Sequence, residues 1–131
     1  MIVVDTNVIA YLYLPGPYTP AAEALLLSDL DWAAPLLWRS ELRNILSTYV
    51  RKALLSLEDA YRIQREAEAL MADREYEVDS LDVLKLAKDS GCTAYDCEFV
   101  ALARRLGVTL VTQDAKLRQA FADDTRALAR I

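Results

Sequence analysis

The chain has 131 residues, of which 54% are hydrophobic and 27% charged, and this composition excludes a disordered chain and predicts one soluble domain over residues 1–131. It contains no histidine, which excludes Ser-His-Asp and Cys-His catalysis, ribonucleases that use paired histidines, and histidine-ligated zinc. The net charge of −5 lacks the basic excess typical of nucleic-acid-binding proteins, unless several acids are concentrated in one metal site.

Predicted strands and helices alternate along the chain. The clearest strand signals are "IVV" and "VTLVT", β-branched runs typical of parallel strands that are buried on both faces. The predicted strands are 2–4, 31–35, 74–78 and 108–112, and the segment 125–128 fits either a fifth edge strand or a fraying helix. The predicted helices are 6–14, 19–28, 36–51, 56–73, 80–91, 93–106 and 115–121. This alternation predicts an α/β fold, a three-layer α/β/α sandwich around a parallel sheet of four to five strands.

Cysteine use and hydropathy favour a soluble protein of the cytoplasm. Cys92 and Cys97 match no zinc or redox motif, as expected in a reducing compartment. The long uncharged stretch at 6–22 is interrupted by "PGP" at 15–17, so neither a signal peptide nor a membrane helix is predicted.

Four carboxylates stand where a site would form. Asp5 ends the first strand and Asp114 follows the "VTLVT" strand by two residues, and ligands of open parallel sheets bind at the carboxyl ends of strands. Glu41 lies within an apolar helical stripe, where an unmatched charge is costly. Asp96 lies in the first turn of a helix that is apolar nearly all round.

Each acid alone also has a purely structural explanation. Asp5 is compatible with an Asx turn or a helix cap, Asp114 with an N-cap, and Asp96 with a capping box begun by Thr93. Glu41 is compatible with an ion pair to a nearby arginine. Together, however, four converging carboxylates would repel one another unless a divalent cation were bound. Oxygen-only ligands favour Mg²⁺ or Mn²⁺, and such a site supports metal-dependent hydrolysis of phosphodiesters.

At these residues the chain resembles the PIN-domain family, specifically the VapC-like toxins of toxin–antitoxin pairs. The matching blocks are "VVDTNVI" (3–9), "SELRNIL" (40–46), "AYDCEFVALARRLGVTLVT" (94–112) and "TQD" (112–114). The resemblance implies that Asp5, Glu41, Asp96 and Asp114 form an acidic quartet that binds one or two Mg²⁺ or Mn²⁺ ions for RNA cleavage.

The resemblance also implies supporting residues and partners. Asn7 and Thr112 match polar positions that orient water or the acids, and the implied partners are RNA, transfer RNA included, a cognate antitoxin and a second copy in a homodimer. From their positions in the sequence, Arg43, Lys116 and Arg118 are predicted to contact RNA phosphates. The aromatic residues are predicted to serve as core or partner interface rather than as base-stacking platforms.

Two other functions are compatible with an acidic cluster at strand ends. One is a non-catalytic PIN-like module that only binds a partner. The other is an aspartate-based phosphotransfer or phosphatase domain, which the sequence disfavours because a phosphatase of that kind carries a second Asp at the position of Asn7.

Overall fold

The computed structural model describes residues 1–129, and its centre is a five-stranded sheet in which every pairing is parallel. The strands are, in chain order, β1 Ile2–Val4, β2 Trp32–Pro35, β3 Glu75–Tyr76, β4 Leu110–Val111 and β5 Thr125–Arg126. Their order across the sheet is β3-β2-β1-β4-β5. The first strand of the chain is therefore the central strand of the sheet, as expected for a run whose three residues are all buried.

Helices cover this sheet, and the predicted fold class is confirmed. The described residues form seven helices: α1 Thr6–Tyr13, α2 Thr19–Ser28, α3 Leu37–Arg51, α4 Leu57–Leu70, α5 Ser80–Ser90, α6 Ala94–Leu106 and α7 Ala115–Ala120. Short polar side chains begin several of them, because a side-chain oxygen can accept from an amide that has no partner within the helix. Thr93 accepts from the Asp96 amide at 3.1 Å, and Gly107 ends the same helix with a φ of 68°.

Several predicted boundaries and one alternative were wrong, and the strand predicted at 74–78 is only Glu75–Tyr76. The helix predicted to reach residue 73 ends at Leu70, because Asp73 adopts a left-handed φ of 68°. The strand predicted at 108–112 is shortened to Leu110–Val111, since the Val108 amide still donates to Ala103 in the turn after α6. The ambiguous segment near 125–128 contains β5, so the alternative of a fraying helix was wrong.

The strand order places a crevice beside β1. From β1 the chain moves to β2 and β3 on one side, and later returns to β4 and β5 on the other. The register pairs Val3 with Leu110 and Val4 with Val111, so the residues that follow β1 and β4 lie side by side. Such a switch point opens a crevice at the carboxyl ends of the two strands. Within residues 1–129, no helix has the length and apolar character needed to cross a bilayer.

Candidate active site

A cavity of about 240 Å³ opens at the carboxyl ends of β1 and β4, and all four predicted carboxylates line it. Asp5 follows β1, Glu41 lies on α3, Asp96 on α6, and Asp114 precedes α7. We call it the acidic cavity, and its lining residues are Asp5, Thr6, Asn7, Glu41, Asn44, Ile45, Asp96 and Asp114.

Asp5 is held by a residue of the neighbouring strand end rather than by its own helix. It occupies the N-cap position of α1 but makes no side-chain capping bond there, so the helix-cap explanation was wrong. Instead, the Thr112 hydroxyl donates to Asp5 Oδ2 at 2.7 Å. Burial raises the pKa of Asp5 above its ordinary value, and the charges of Asp96 and Asp114 add to that rise, whereas the Thr112 hydrogen bond opposes it.

Glu41 accepts a hydrogen bond from the residue that follows Asp5. The Thr6 hydroxyl donates to Glu41 Oε1 at 2.7 Å. Burial raises the pKa of Glu41, and the charges of Asp5, Asp96 and Glu98 raise it further.

The alternative that Glu41 pairs with a neighbouring arginine was wrong. Arg39 binds Glu75 and Glu68, and Arg43 Nε donates to the Arg39 carbonyl at 3.1 Å.

Asp96 is half-buried at the start of α6, where Thr93 caps the helix. Burial raises the pKa of Asp96, and the charge of Asp114 raises it further. A hydrogen bond from the Thr93 side chain and the charge of Lys116 act in the opposite direction. The positively charged side chain of Lys116 is therefore close to this carboxylate. Its ammonium donates to the Gly91 carbonyl at 2.8 Å.

Asp114 has a structural role in addition to its place in the cavity. Its Oδ1 accepts from the Leu117 amide at 2.9 Å and so caps α7. Its own amide donates to Thr112 Oγ1 at 3.1 Å. Because Thr112 also donates to Asp5, this fully buried hydroxyl joins the two acids that flank the switch point.

The cavity contains polar residues that the sequence did not single out. Asn7 lies in the lining, as the resemblance implied, but so do Thr6 and Asn44. Asn44 follows Glu41 by three residues on α3, a spacing that places two side chains on one helix face and could have predicted it. Thr6 follows Asp5 directly and is buried at the start of α1.

The three predicted phosphate contacts lie in different places. Lys116 is close enough to Asp96 to lower its pKa. Arg43 lines a groove between α3 and α4 with Leu46 and Tyr61, and Arg118 lines a third cavity. The proximity of Arg43 to Glu41 in the sequence therefore did not carry its side chain to the acidic cavity.

The donor set of the cavity fits a hard divalent cation. It offers carboxylate and amide oxygens, which Mg²⁺ and Mn²⁺ prefer, and mutual repulsion contributes to the raised pKa values of Asp5, Glu41 and Asp96. Among residues 1–129, no three acids already converge on one point as metal ligands. Asp5, Glu41 and Asp114 instead accept protein hydrogen bonds, which a bound cation would have to compete with.

The raised pKa values predict how stability depends on pH when metal is removed. A carboxyl whose folded-state pKa is raised stabilises the fold fully below its unfolded value, about pH 4, and that contribution is lost as the pH rises through the folded value. In EDTA, Asp5→Asn is therefore expected to melt at a higher temperature than the wild type at pH 7, and the difference should shrink towards pH 4.

Thermal melts recorded by circular dichroism across pH 4–8 check this prediction. Asp89→Asn serves as the control, because Lys85 lowers the pKa of Asp89 and its replacement should give no such gain. A wild type that is more stable than Asp5→Asn throughout the range would contradict the argument.

Comparison with known proteins bears on this cavity. The family model described as "PIN domain" matches residues 2–121. A curated relative, "Ribonuclease VapC3" of Pyrobaculum aerophilum, is 34% identical over 129 residues, covering 92% of this chain and 94% of that protein.

Three solved structures share the fold over nearly the whole chain. FitAcB from Neisseria gonorrhoeae has 26% identity and a TM-score of 0.70, covering 98% of this chain and 97% of the other. FitAB bound to the IR36 DNA fragment has 21% identity and a TM-score of 0.77, with coverage of 100% and 97%. A toxin–antitoxin complex from Klebsiella pneumoniae has 17% identity and a TM-score of 0.73, with both chains covered fully.

Proposed function

Because the chain belongs to the PIN-domain family, as a VapC-like member, we propose that it is a metal-dependent endoribonuclease and the toxin of a toxin–antitoxin pair. One observation carries the proposal: acids from positions 5, 41, 96 and 114 line a single cavity at the switch point of the sheet. The ribonuclease named among its relatives supports the choice of RNA as the substrate.

We assign Asp5, Glu41, Asp96 and Asp114 as the residues that hold Mg²⁺ or Mn²⁺. When bound, such a cation supplies an activated water at neutral pH and neutralises charge on the phosphate oxygens. The chain's own hydroxyls orient the acids: Thr112 donates to Asp5 and Thr6 to Glu41.

Three further residues of the site can interact with the substrate through hydrogen bonds or charge. The amides of Asn7 and Asn44 line the cavity and can donate to a water or a phosphate oxygen. Lys116 adds a positive charge beside Asp96.

The proposed function also involves a protein partner, an oligomeric state and a cellular location. The fold is shared with proteins solved as toxin–antitoxin complexes, which supports a cognate antitoxin as the partner of this chain. We further propose that residues 1–131 form one nuclease domain, that the protein forms a homodimer, and that it acts in the cytoplasm on RNA, with transfer RNA among the candidate substrates.

A cleavage assay tests the activity directly. Purified protein should cut RNA in Mg²⁺ or Mn²⁺, should stop in EDTA, and should recover when Mn²⁺ is added in excess, because the chain has no histidine with which to cleave RNA without metal. RNA ends are counted by sequencing. Cleavage that continues unchanged in EDTA would contradict metal dependence.

A non-catalytic PIN-like module is the main competing function. Isothermal titration with Mn²⁺ separates the two, because only the nuclease requires binding that depends on Asp5 and Asp96. The phosphotransfer alternative has no support in the site, where Asn7 occupies the position of the second Asp.

A further inference from the structure

A second cavity, also of about 240 Å³, lies beside the acidic cavity and is lined by aromatic side chains. We call it the tyrosine cavity, and it is formed by α1, the "PGP" loop and α3. The residues that matter to its chemistry are Asn7, Tyr11, Pro17, Tyr18, Ile45 and Tyr49. Its size is below that of pockets for drug-sized ligands, which favours one small flat group.

The two cavities are neighbours with a shared wall. Asn7 and Ile45 line both of them. Asp5 also helps to raise the pKa of Tyr11, after burial and Tyr18, as expected if the phenol faces the acidic cavity. A substrate with one group in the acidic cavity therefore has its adjacent group within reach of the tyrosines.

The tyrosines form a preorganised aromatic surface. The rings of Tyr11 and Tyr18 lie 4.9 Å apart between centroids with an interplanar angle of 34°, and Tyr18 is 43% exposed. The loop between them is tied down, because the Thr19 hydroxyl donates to the Tyr11 carbonyl at 2.6 Å and accepts from the Gly16 amide at 3.1 Å. An aromatic platform fixed in this way binds a nucleobase with little loss of conformational entropy.

Beyond Tyr18 lies a basic side chain. Pro17 and Tyr18 also line a cavity of about 550 Å³ that contains Arg118. Arg118 Nη2 donates to the Gln113 carbonyl at 3.4 Å, and Arg118 Nε is buried with no hydrogen-bond partner among the described residues. The positive charge of this guanidinium favours a phosphate in the same cavity.

The order of these groups matches the chemistry of a nucleic-acid strand. The acidic cavity adjoins the tyrosine cavity through Asn7 and Ile45. The tyrosine cavity adjoins the cavity of Arg118 through Pro17 and Tyr18, so that a cut phosphate, a base and a further phosphate could occupy the three. We propose that the tyrosine cavity binds one unpaired nucleobase adjacent to the cleaved bond, with Tyr18 as the ring on which the base stacks. This inference rests on the proposed ribonuclease function, and it assigns to Tyr11 and Tyr18 a stacking role that the sequence disfavoured.

The test uses a short single-stranded RNA that carries 2-aminopurine at each position in turn. Binding is measured in an Asp5→Asn background that all the compared proteins share, so that the RNA is bound without being cut. At one position the fluorescence should be quenched by stacking. Adding Tyr18→Ala should abolish that quenching and weaken binding about tenfold, whereas Tyr18→Phe should preserve both.

Tyr61→Ala is the matched control, because Tyr61 is 56% exposed but lines the groove between α3 and α4; it should leave binding unchanged. For the parent protein, removing the base at the quenched position should weaken RNA binding about tenfold. For the Tyr18→Ala variant, the abasic RNA should bind as well as the intact RNA. Equal losses for both proteins would overturn the proposal, because the base would then be bound away from Tyr18.

The cleavage assay keeps failure of this inference distinct from failure of the proposed function. If the wild type cleaves RNA while Tyr18→Ala has no effect on binding or quenching, only the nucleobase site is overturned. If the wild type neither binds nor cleaves RNA, both are overturned.

Discussion

Replacing Asp5 with Asn is expected to slow metal-dependent RNA cleavage about a thousandfold. Asp5 lies at the end of the central strand with its carboxylate in the acidic cavity. Asn keeps the shape of the side chain and can still accept the Thr112 hydrogen bond, so the change removes a charge, and with it the proposed metal ligand, and leaves the packing of β1 intact. Single-turnover cleavage in Mn²⁺ measures the effect.

Two further variants show whether the slower cleavage comes from the loss of an acid in the cavity. Asp123→Asn removes an exposed acid that is not in the cavity lining and should leave the rate unchanged. Asp114→Asn should be slow, although Asn caps helices as well as Asp does, so a loss there reports the missing charge rather than an uncapped α7. A rate near that of the wild type for Asp5→Asn would contradict the assignment of the site.

Mn²⁺ is expected to stabilise the fold through the same residues. A ligand that binds only the folded chain adds about 2.7 kcal/mol to the free energy of unfolding at about 100 times its dissociation constant. In this cavity the effect has a specific cause, since the charges of Asp96 and Asp114 help to raise the pKa of Asp5 and a cation relieves that repulsion. Urea unfolding in Mn²⁺ and in EDTA, at matched ionic strength, measures the difference.

The stabilisation should depend on individual carboxylates of the cavity. Asp5→Asn and Asp96→Asn should each lose most of it. Asp89→Asn should retain it, because Asp89 is an exposed acid on α5 that pairs with Lys85. Equal stabilisation of all three variants would show that Mn²⁺ binds elsewhere on this acidic protein, and the proposed metal site would have to be abandoned.

Much of the fold could be predicted from the sequence because its signals are local. The bounds of α2 are those predicted, and the "IVV" run is β1. The end of α6 was predictable because Gly107 adopts the left-handed conformation that glycine favours after a helix. The ends at Leu70 and at β4 were missed, since they depend on a left-handed Asp73 and on a turn hydrogen bond of Val108, which no periodic pattern encodes.

The site was predictable in its acids but not in its contacts. Strand ends and helix spacing indicated which carboxylates would meet, because parallel strands bring their carboxyl ends to one edge. The partners that hold them come from other parts of the chain: Thr6 reaches Glu41 across 35 positions. The direction of Arg43, towards the groove between α3 and α4, is likewise set by tertiary packing.

The hydrogen bond between Thr112 and Asp5 spans 107 positions of the chain, and this separation has a consequence during protein synthesis. The first strand to leave the ribosome is the middle of the sheet, and one of its two neighbours, β4, is not made until residues 110–111. Contacts this distant in sequence form late in folding. A nascent chain therefore exposes its first acid without the crevice around it, and the proposed site is complete only after residues 110–114 have been made.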